Sequence, residues 1–254
     1  MAPVIDPGLA SRGYALHHLT EVGSTNTEAK CALRQGQSLF WVVADQQIAG
    51  RGRHDRSWVS PPGNLYASLA LAHPAAPAQL PLLGFVAGLA LVEAIKSLAP
   101  DLAPRLTLKW PNDMLLDGKK CAGILLEGAD DAQGRRGVVI GIGVNIAHGP
   151  QELKPPVAWL ASAAPWVDRD MLFSALQLNL AALLRLFDEG RGFGFIRQLW
   201  LASAIPLGQR LGVKLPGGPQ SGTFAGMDAD GGLLLDVDGK QICIVAGDVH
   251  LIGD

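Results

Sequence analysis

Residues 105–127 read RLTLKWPNDMLLDGKKCAGILLE, and the fold class turns on how they are read. RLTLK is a strand candidate that ends at Pro111, because a proline ring pushes the residue before it, here Trp110, toward extended backbone. MLL and KKCAGILLE then flank Asp117-Gly118, a pair suited to the two positive φ angles of a tight two-residue turn. The spacing predicts a β-hairpin, hence antiparallel pairing, with Lys119 and Lys120 fixed at the start of its second strand.

Working outward, residues 137–146 (GVVIGIGVNI) alternate as a further strand. Ile140, Ile142, Val144 and Ile146 line one face; Val139, Gly141, Gly143 and Asn145 line the other. Two glycines on one strand face mark close approach of a ligand or of another backbone, or simple packing. Upstream, Leu65, Ala67, Leu69 and Leu71 alternate along one strand, Leu80–Ala99 fits a buried helix, and Leu39–Ala44 is an apolar strand.

That last strand runs into QIAGRGRHDRSW, residues 47–58, where Gly50, Gly52, Arg51, Arg53 and Arg56 crowd together before Trp58. Glycine permits unusual backbone, and guanidiniums packed this closely repel unless an anion sits among them. A solvated basic loop and an anion-binding loop both fit. Earlier still, Ser24-Thr25-Asn26 precedes a short helix. Thr25 and Glu28 fit a capping box, and Gly36 is placed to end the helix. The tripeptide is either a plain helix start or one wall of a polar pocket.

Past residue 150, Asp168 or Asp170 can cap a helix to about Asp188 with Leu172, Leu176, Leu180, Leu183, Leu184 and Phe187 as its stripe; a second helix spans Phe193–Ala202. From Leu207 the chain becomes short apolar runs between Gly, Pro and Asp turns, with Asp238-Gly239 at a hairpin. This predicts a small all-β unit, a barrel by its texture. Asp228-Ala229-Asp230-Gly231 lacks the remaining ligands of a calcium loop and reads as a turn.

Composition sets the bounds. A 48% hydrophobic and 17% charged chain of 254 residues suits a compact fold with one large core. A formal charge of −2 does not suit a general nucleic-acid binder, so the arginine loop is a local feature. Cys31, Cys121 and Cys243 form no pair or zinc spacing and are expected as reduced thiols. The N-terminus shows no signal peptide, and the Leu82–Val92 apolar run falls short of the about 20 residues that span a bilayer. A soluble cytoplasmic protein, with no DNA and no membrane partner, is expected.

Together, STN, GRGRHDRSW, KWPNDMLLDGKKCAGILLE and GIGVN, in that order, resemble the biotin protein ligase family over residues 21–145. The resemblance implies an α+β catalytic domain over residues 1–205, of the class II synthetase-like biotinyl/lipoyl ligase type. Its sheet would be mixed and largely antiparallel with packed helices, and an SH3-like β-barrel would follow over 206–254. It implies ATP-dependent formation of biotinyl-5′-AMP, with Mg²⁺, and transfer to a lysine of the biotin carboxyl carrier protein of acetyl-CoA carboxylase. Too little chain precedes the first strand for the helix-turn-helix of the repressor members, so a ligase alone is expected. Sheet-edge pairing in the family leaves monomer and homodimer both open.

Residue by residue, the resemblance places Ser24, Thr25, Asn26, Gln47, Gly50, Arg51, Gly52, Arg53, Lys120 and Gly123 at the biotin. Arg51, Arg53, Trp58, Lys120 and Asn145 fall at the ATP or adenylate. Lys120, Arg53 and Asp113 are the catalytic candidates, Asp113 also for Mg²⁺. Gly123 lies an odd number of positions from Lys120, so a bulge intervenes or only its main chain is used. The loop departs from the family's GRGRxGRxW at Asp55, which would forgo positive φ and could pair with Arg53 or Arg56. A lipoate or octanoate ligase or transferase, a non-catalytic biotin or nucleotide sensor, and a nucleic-acid-binding module are the rival readings.

Overall fold

The computed structural model describes residues 2–150, 156–215 and 217–252, with Asp55 by its backbone alone. Seven strands form the larger sheet: β1 Ala15–Val22, β2 Phe40–Gln47, β3 Leu65–Leu71, β4 Leu106–Lys109, β5 Asp113–Leu116, β6 Lys119–Asp130 and β7 Arg136–Val144. Their order is β1-β2-β3-β7-β6-β5-β4. Only β1 and β2 are parallel, as the helix crossing between them requires; every other pair is antiparallel. The helices are α1 Pro7–Ala10, α2 Thr25–Arg34, α3 Leu83–Leu98, α4 Arg169–Phe187 and α5 Phe193–Ala202. The fold is α+β, as expected.

The predicted hairpin is present. Asp117 (φ 50°) and Gly118 (φ 72°) make the turn between β5 and β6. Its register shifts one step in: Met114 faces Ala122 while Leu115 faces Lys120, so Cys121 is the extra residue of a bulge. That bulge turns Lys120 and Gly123 toward the same side of the sheet.

The alternation along β7 divides the molecule into two layers. Ile140, Ile142 and Val144 join Trp41, Val43, Leu65, Ala67 and Leu69 in the main core, under α3 and α4. The opposite face packs Val42, Ala70, Val139 and Ala129 against Ala29 and Leu33 of α2. Beyond that small cluster, the same face presents Gly141, Gly143 and Gly123 in place of side chains that would need a helix to cover them.

Two helix starts differ from expectation. The helix predicted from Leu80 begins at Leu83, because Pro77–Leu82, containing Pro81, forms a 3₁₀ turn in front of it. Helix α4 is capped by Asp168, whose Oδ1 accepts from Met171 N at 2.8 Å, and ends on a left-handed Asp188, both as expected. The Thr25/Glu28 capping box does not form. Ser24 occupies the N-cap without a side-chain cap bond, and Thr25 is the first helical residue. By length and composition, Pro77–Leu98 and Arg169–Gly190 could each cross a membrane, although the longest apolar run is short. In the fold, α3 and α4 pack on each other.

The C-terminal strands, β8 Arg210–Leu215, β9 Gly218–Met227, β10 Leu233–Val237, β11 Lys240–Ile244 and β12 Asp248–Leu251, form a separate antiparallel sheet in the order β11-β10-β9-β8-β12. Asp228 Oδ1 accepts from Asp230 N and Gly232 N, which makes its segment the turn expected. The sheet reaches the catalytic strands through two long hydrogen-bonding side chains. Lys109 Nζ donates to Val249 O at 2.8 Å and Trp110 Nε1 to Gly231 O at 2.9 Å.

Candidate functional site

The row of glycines is the floor of a site. A methyl group built on Gly141 would lie 2.2 Å from Asn26 Oδ1, and one on Gly143 2.7 Å from Trp58 Nε1. On Gly123 it would meet Trp58 Cζ3 at 3.3 Å and Lys120 Nζ at 3.4 Å. The strand glycines thus admit three side chains, from α2, from the arginine loop and from the hairpin, onto one patch of sheet. Cross-strand pairing of Gly123 with Gly143 makes the patch continuous.

At the Gly141 end uncharged polar side chains are held by hydrogen bonds to one another, with the Glu127 carboxylate beside them. Thr25 N donates to Gln47 Oε1 at 2.8 Å, and Gln47 Nε2 to Ser60 Oγ at 3.0 Å. Ser68, 0% exposed, lies 2.8 Å from Thr25 Oγ1 and 2.6 Å from Asn26 Oδ1. An amide oxygen can only accept, so Ser68 donates to Asn26, and the one Thr25 hydroxyl proton serves either Ser68 Oγ or Gln47 Oε1, which lies 3.1 Å away. This also explains the missing capping box: Thr25 spends its N–H and hydroxyl on partners outside the helix. Asn26 Nδ2 in turn donates to Glu127 Oε2 at 2.7 Å, which fixes the sense of its amide.

At the Gly123 end the groups are charged. Lys120 Nζ stands 5.4 Å from the Trp58 ring centroid and 2.6 Å from Asp113 Oδ1. The ammonium is off the line of a hydrogen bond to that oxygen, which has no aligned donor. Lys109 Nζ lies 2.9 Å from Asp113 Oδ2. Burial pushes the Asp113 carboxyl up, but Lys120 and Lys109 more than offset this and hold it below the usual carboxylate range. Asp113 therefore acts as a fixed anion that steers Lys120 over the floor.

The loop bridges the two ends. Arg51 Nη2 reaches Thr27 Oγ1 at 3.1 Å and Glu127 Oε2 at 3.4 Å. Arg53 turns the other way, to Asn112 Oδ1 at 3.3 Å and Gly247 O at 3.1 Å. Arg56 pairs with Asp248, near which His54 Nδ1 lies at 3.4 Å. Burial raises the Asp248 carboxyl, yet Arg56, His54 and Arg53 hold it below its ordinary value. Gly50 is needed by the loop itself, since a methyl there would sit 2.5 Å from Trp58 O and 2.6 Å from Ser60 Oγ. The left-handed residue is His54 (φ 53°), one position before Asp55. The Asp55 side chain, and any pairing it makes with Arg53 or Arg56, lies outside the described residues.

Ser24, Thr25, Asn26, Gln47, Arg51, Trp58, Lys120 and Gly123 are thus gathered on one face, with Asp113 behind Lys120 and Arg53 at the rim. Gly52 closes the loop through its N–H to Arg56 O at 2.7 Å. Asn145 stands apart: it is buried, and its Nδ2 donates to Ala158 O at 3.2 Å. Sequence reasoning missed Ser68, Asn112 and Glu127. Ser68 was legible as the one small polar residue on the off-beat of an apolar strand, and Glu127 as the one charge in GILLE. Among the described residues, no group of three His, Cys, Asp or Glu side chains converges to hold a metal ion.

The model of the biotin/lipoate A/B protein ligase family matches residues 19–145. The chain is 37% identical to the biotin–acetyl-CoA-carboxylase ligase of Paracoccus denitrificans, over 92% of this chain and 100% of that one. Among solved structures it is similar to the Aquifex aeolicus biotin protein ligase in complex with biotin and ATP. That likeness has a TM-score of 0.79 and 27% identity, covering 94% of this chain and 99% of that one. The Leishmania major biotin protein ligase in complex with biotinyl-5-AMP aligns with a TM-score of 0.65 and 27% identity, over the same shares of each chain.

Proposed function

The chain belongs to the biotin/lipoate A/B protein ligase family, and from that footing we propose that it biotinylates a carrier protein in two steps. In the first, a biotin carboxylate oxygen attacks the α-phosphorus of ATP and pyrophosphate leaves, giving biotinyl-5′-AMP. In the second, the amine of a carrier lysine attacks the acyl carbon, AMP leaves and the amine loses a proton. The acceptor is the biotin carboxyl carrier protein of acetyl-CoA carboxylase, and the reaction takes place in the cytoplasm.

One observation carries this reading: a single glycine-floored patch has a cluster of uncharged hydrogen-bonding side chains at one end and the Lys120 ammonium at the other, with Arg51 reaching over it. The Thr25–Gln47–Ser68–Asn26 set offers the donors and acceptors that a ureido ring needs. Lys120 and the loop arginines supply the positive charge that two approaching anions require. Arg51 and Arg53 close over carboxylate and phosphate, Trp58 offers its indole to the adenine, and Asn145 shapes the nucleotide end. Because Asp113 and Glu127 are each taken by two cations, Mg²⁺ has no ready protein cage and enters as the counter-ion of the ATP phosphates. The division into a catalytic domain, 1–205, and a C-terminal β unit, 206–254, is part of the same proposal and accords with the two separate sheets.

Substrate-dependent pyrophosphate exchange tests it. Biotin should drive exchange of label into ATP, and lipoate and octanoate should not. Exchange driven by lipoate or octanoate alone would assign the chain to the other branch of its family.

A further inference from the structure

Glu127 is the residue of the site with the most partners and no assigned part. It stands on β6 opposite Val139, with its side chain 23% exposed. Three groups from two directions face its carboxylate. Lys30 Nζ lies at 2.6 Å from Oε1, and Asn26 Nδ2 at 2.7 Å from Oε2, both from α2. Arg51 Nη2, from the loop, is at 3.4 Å from the same Oε2 and shares its other contact with Thr27 Oγ1.

These contacts are unequal. Lys30 and Asn26 are held at close hydrogen-bonding distance, whereas Arg51, at 3.4 Å, is within ion-pair range but long for a hydrogen bond. If Arg51 leaves, Glu127 keeps a full counter-charge in Lys30, so no uncompensated carboxylate is stranded. If Glu127 loses its charge, Arg51 and Lys30 are left with unbalanced positive potential beside the ligand floor.

We propose that Glu127 is a positioning residue of the ligase reaction. It holds the Asn26 amide in the orientation that recognises the substrate, and it parks Arg51 on a weak ion pair that the substrate's anionic end must win. This rests on the functional reading above, in which Arg51 closes over the carboxylate and phosphate. The consequence is charge-specific. An anionic ligand competes with Glu127 for Arg51; a neutral ligand of the same shape does not.

The test is calorimetric titration of wild type and Glu127→Gln with biotin and with biotin methyl ester at low salt. Glutamine keeps an acceptor oxygen for Asn26 but lacks the charge that holds Arg51. Exposed ion pairs of this kind correspond to about a two- to fivefold change in affinity. Glu127→Gln should therefore tighten biotin by about that factor and leave the ester unchanged. In an Arg51→Ala background the same substitution should have a much smaller effect, that of the unbalanced Lys30 alone. Glu127→Asp, which keeps the charge but withdraws it by one methylene, should act in the same direction and by less. Equal shifts for acid and ester, or an undiminished effect without Arg51, would overturn the parking role while leaving the ligase reading intact. A wild-type protein that bound neither compound would overturn both.

Discussion

Replacing Gly141 with alanine exchanges one hydrogen for a methyl group, and the structure says where its carbon must go. It lands 2.2 Å from Asn26 Oδ1, 2.8 Å from Cγ and 2.9 Å from Nδ2. Ordinary carbon–oxygen contact needs roughly 3.5 Å, so the Asn26 side chain has to retreat by about 1 Å. It has little freedom to do so, being buried and tied to Ser68 at 2.6 Å and Glu127 at 2.7 Å. Overpacking of this sort costs about 1–3 kcal/mol, and the reduced chain entropy of alanine returns about 0.4–1 kcal/mol. The net destabilisation should be about 1–2 kcal/mol, a fall of roughly 2–8 °C in melting temperature for a chain of this size. Biotin affinity should fall further, by about tenfold or more, if the displaced amide is the ligand contact proposed above. Thermal melting and calorimetric titration read the two effects. The decisive comparison is the Asn26→Ala background, where the clash is gone and Gly141→Ala should no longer destabilise. An equal loss in both backgrounds would refute the steric argument.

The charged end can be tested in parallel. Lys120→Ala should slow biotin-dependent pyrophosphate exchange by about 10²–10³-fold, the scale of losing one preorganised charge at a developing anion. Lys119→Ala, exposed and one residue away, should change it less than twofold; equal effects would mean that Lys120 is not the site lysine. Arg53→Ala should keep the fold and raise the release rate of biotinyl-5′-AMP by about tenfold, from loss of one charge-assisted contact. An unchanged off-rate in stopped-flow would remove Arg53 from the clamp. Acid should weaken the fold through Asp113, whose pKa is lower in the folded chain than in the unfolded one. Its stabilising contribution is present above the unfolded value of about 3.9 and is lost as pH falls through the lowered folded value. Urea titrations from neutral pH downward should show Asp113→Asn losing less stability on acidification than wild type.

Much of the framework was legible because it rests on local chemistry. Asp117-Gly118 could only be a tight turn, and the isoleucines of β7 could only line one face. The glycine row was legible too, as bare positions on that strand, although not what covers it. Asn26 and Trp58 arrive from segments 115 and 85 residues away in the chain, and no local rule links them to Gly141 and Gly143. The capping box failed for the same reason, since Gln47 and Ser68 outcompeted the helix for Thr25. The parity problem between Lys120 and Gly123 had two solutions on paper; the unpaired Cys121 chose the bulge. Its thiol, buried and pushed up to about 12 by desolvation, serves packing rather than chemistry. In the arginine loop, composition marked the glycines as points of close approach, and Gly50 makes room for Trp58 O and Ser60 Oγ. That close approach depends on a turn of the loop which the spacing of its residues does not reveal.

The most direct test is transfer itself. The protein, biotin and Mg²⁺–ATP should be incubated with a biotin carboxyl carrier domain, and the carrier's intact mass followed. One biotinyl group should appear on one carrier lysine, dependent on both biotin and ATP, and Lys120→Ala should abolish it on the same time scale. A carrier of unchanged mass, beside protein that binds biotin normally, would contradict the ligase function and leave a binding protein in its place.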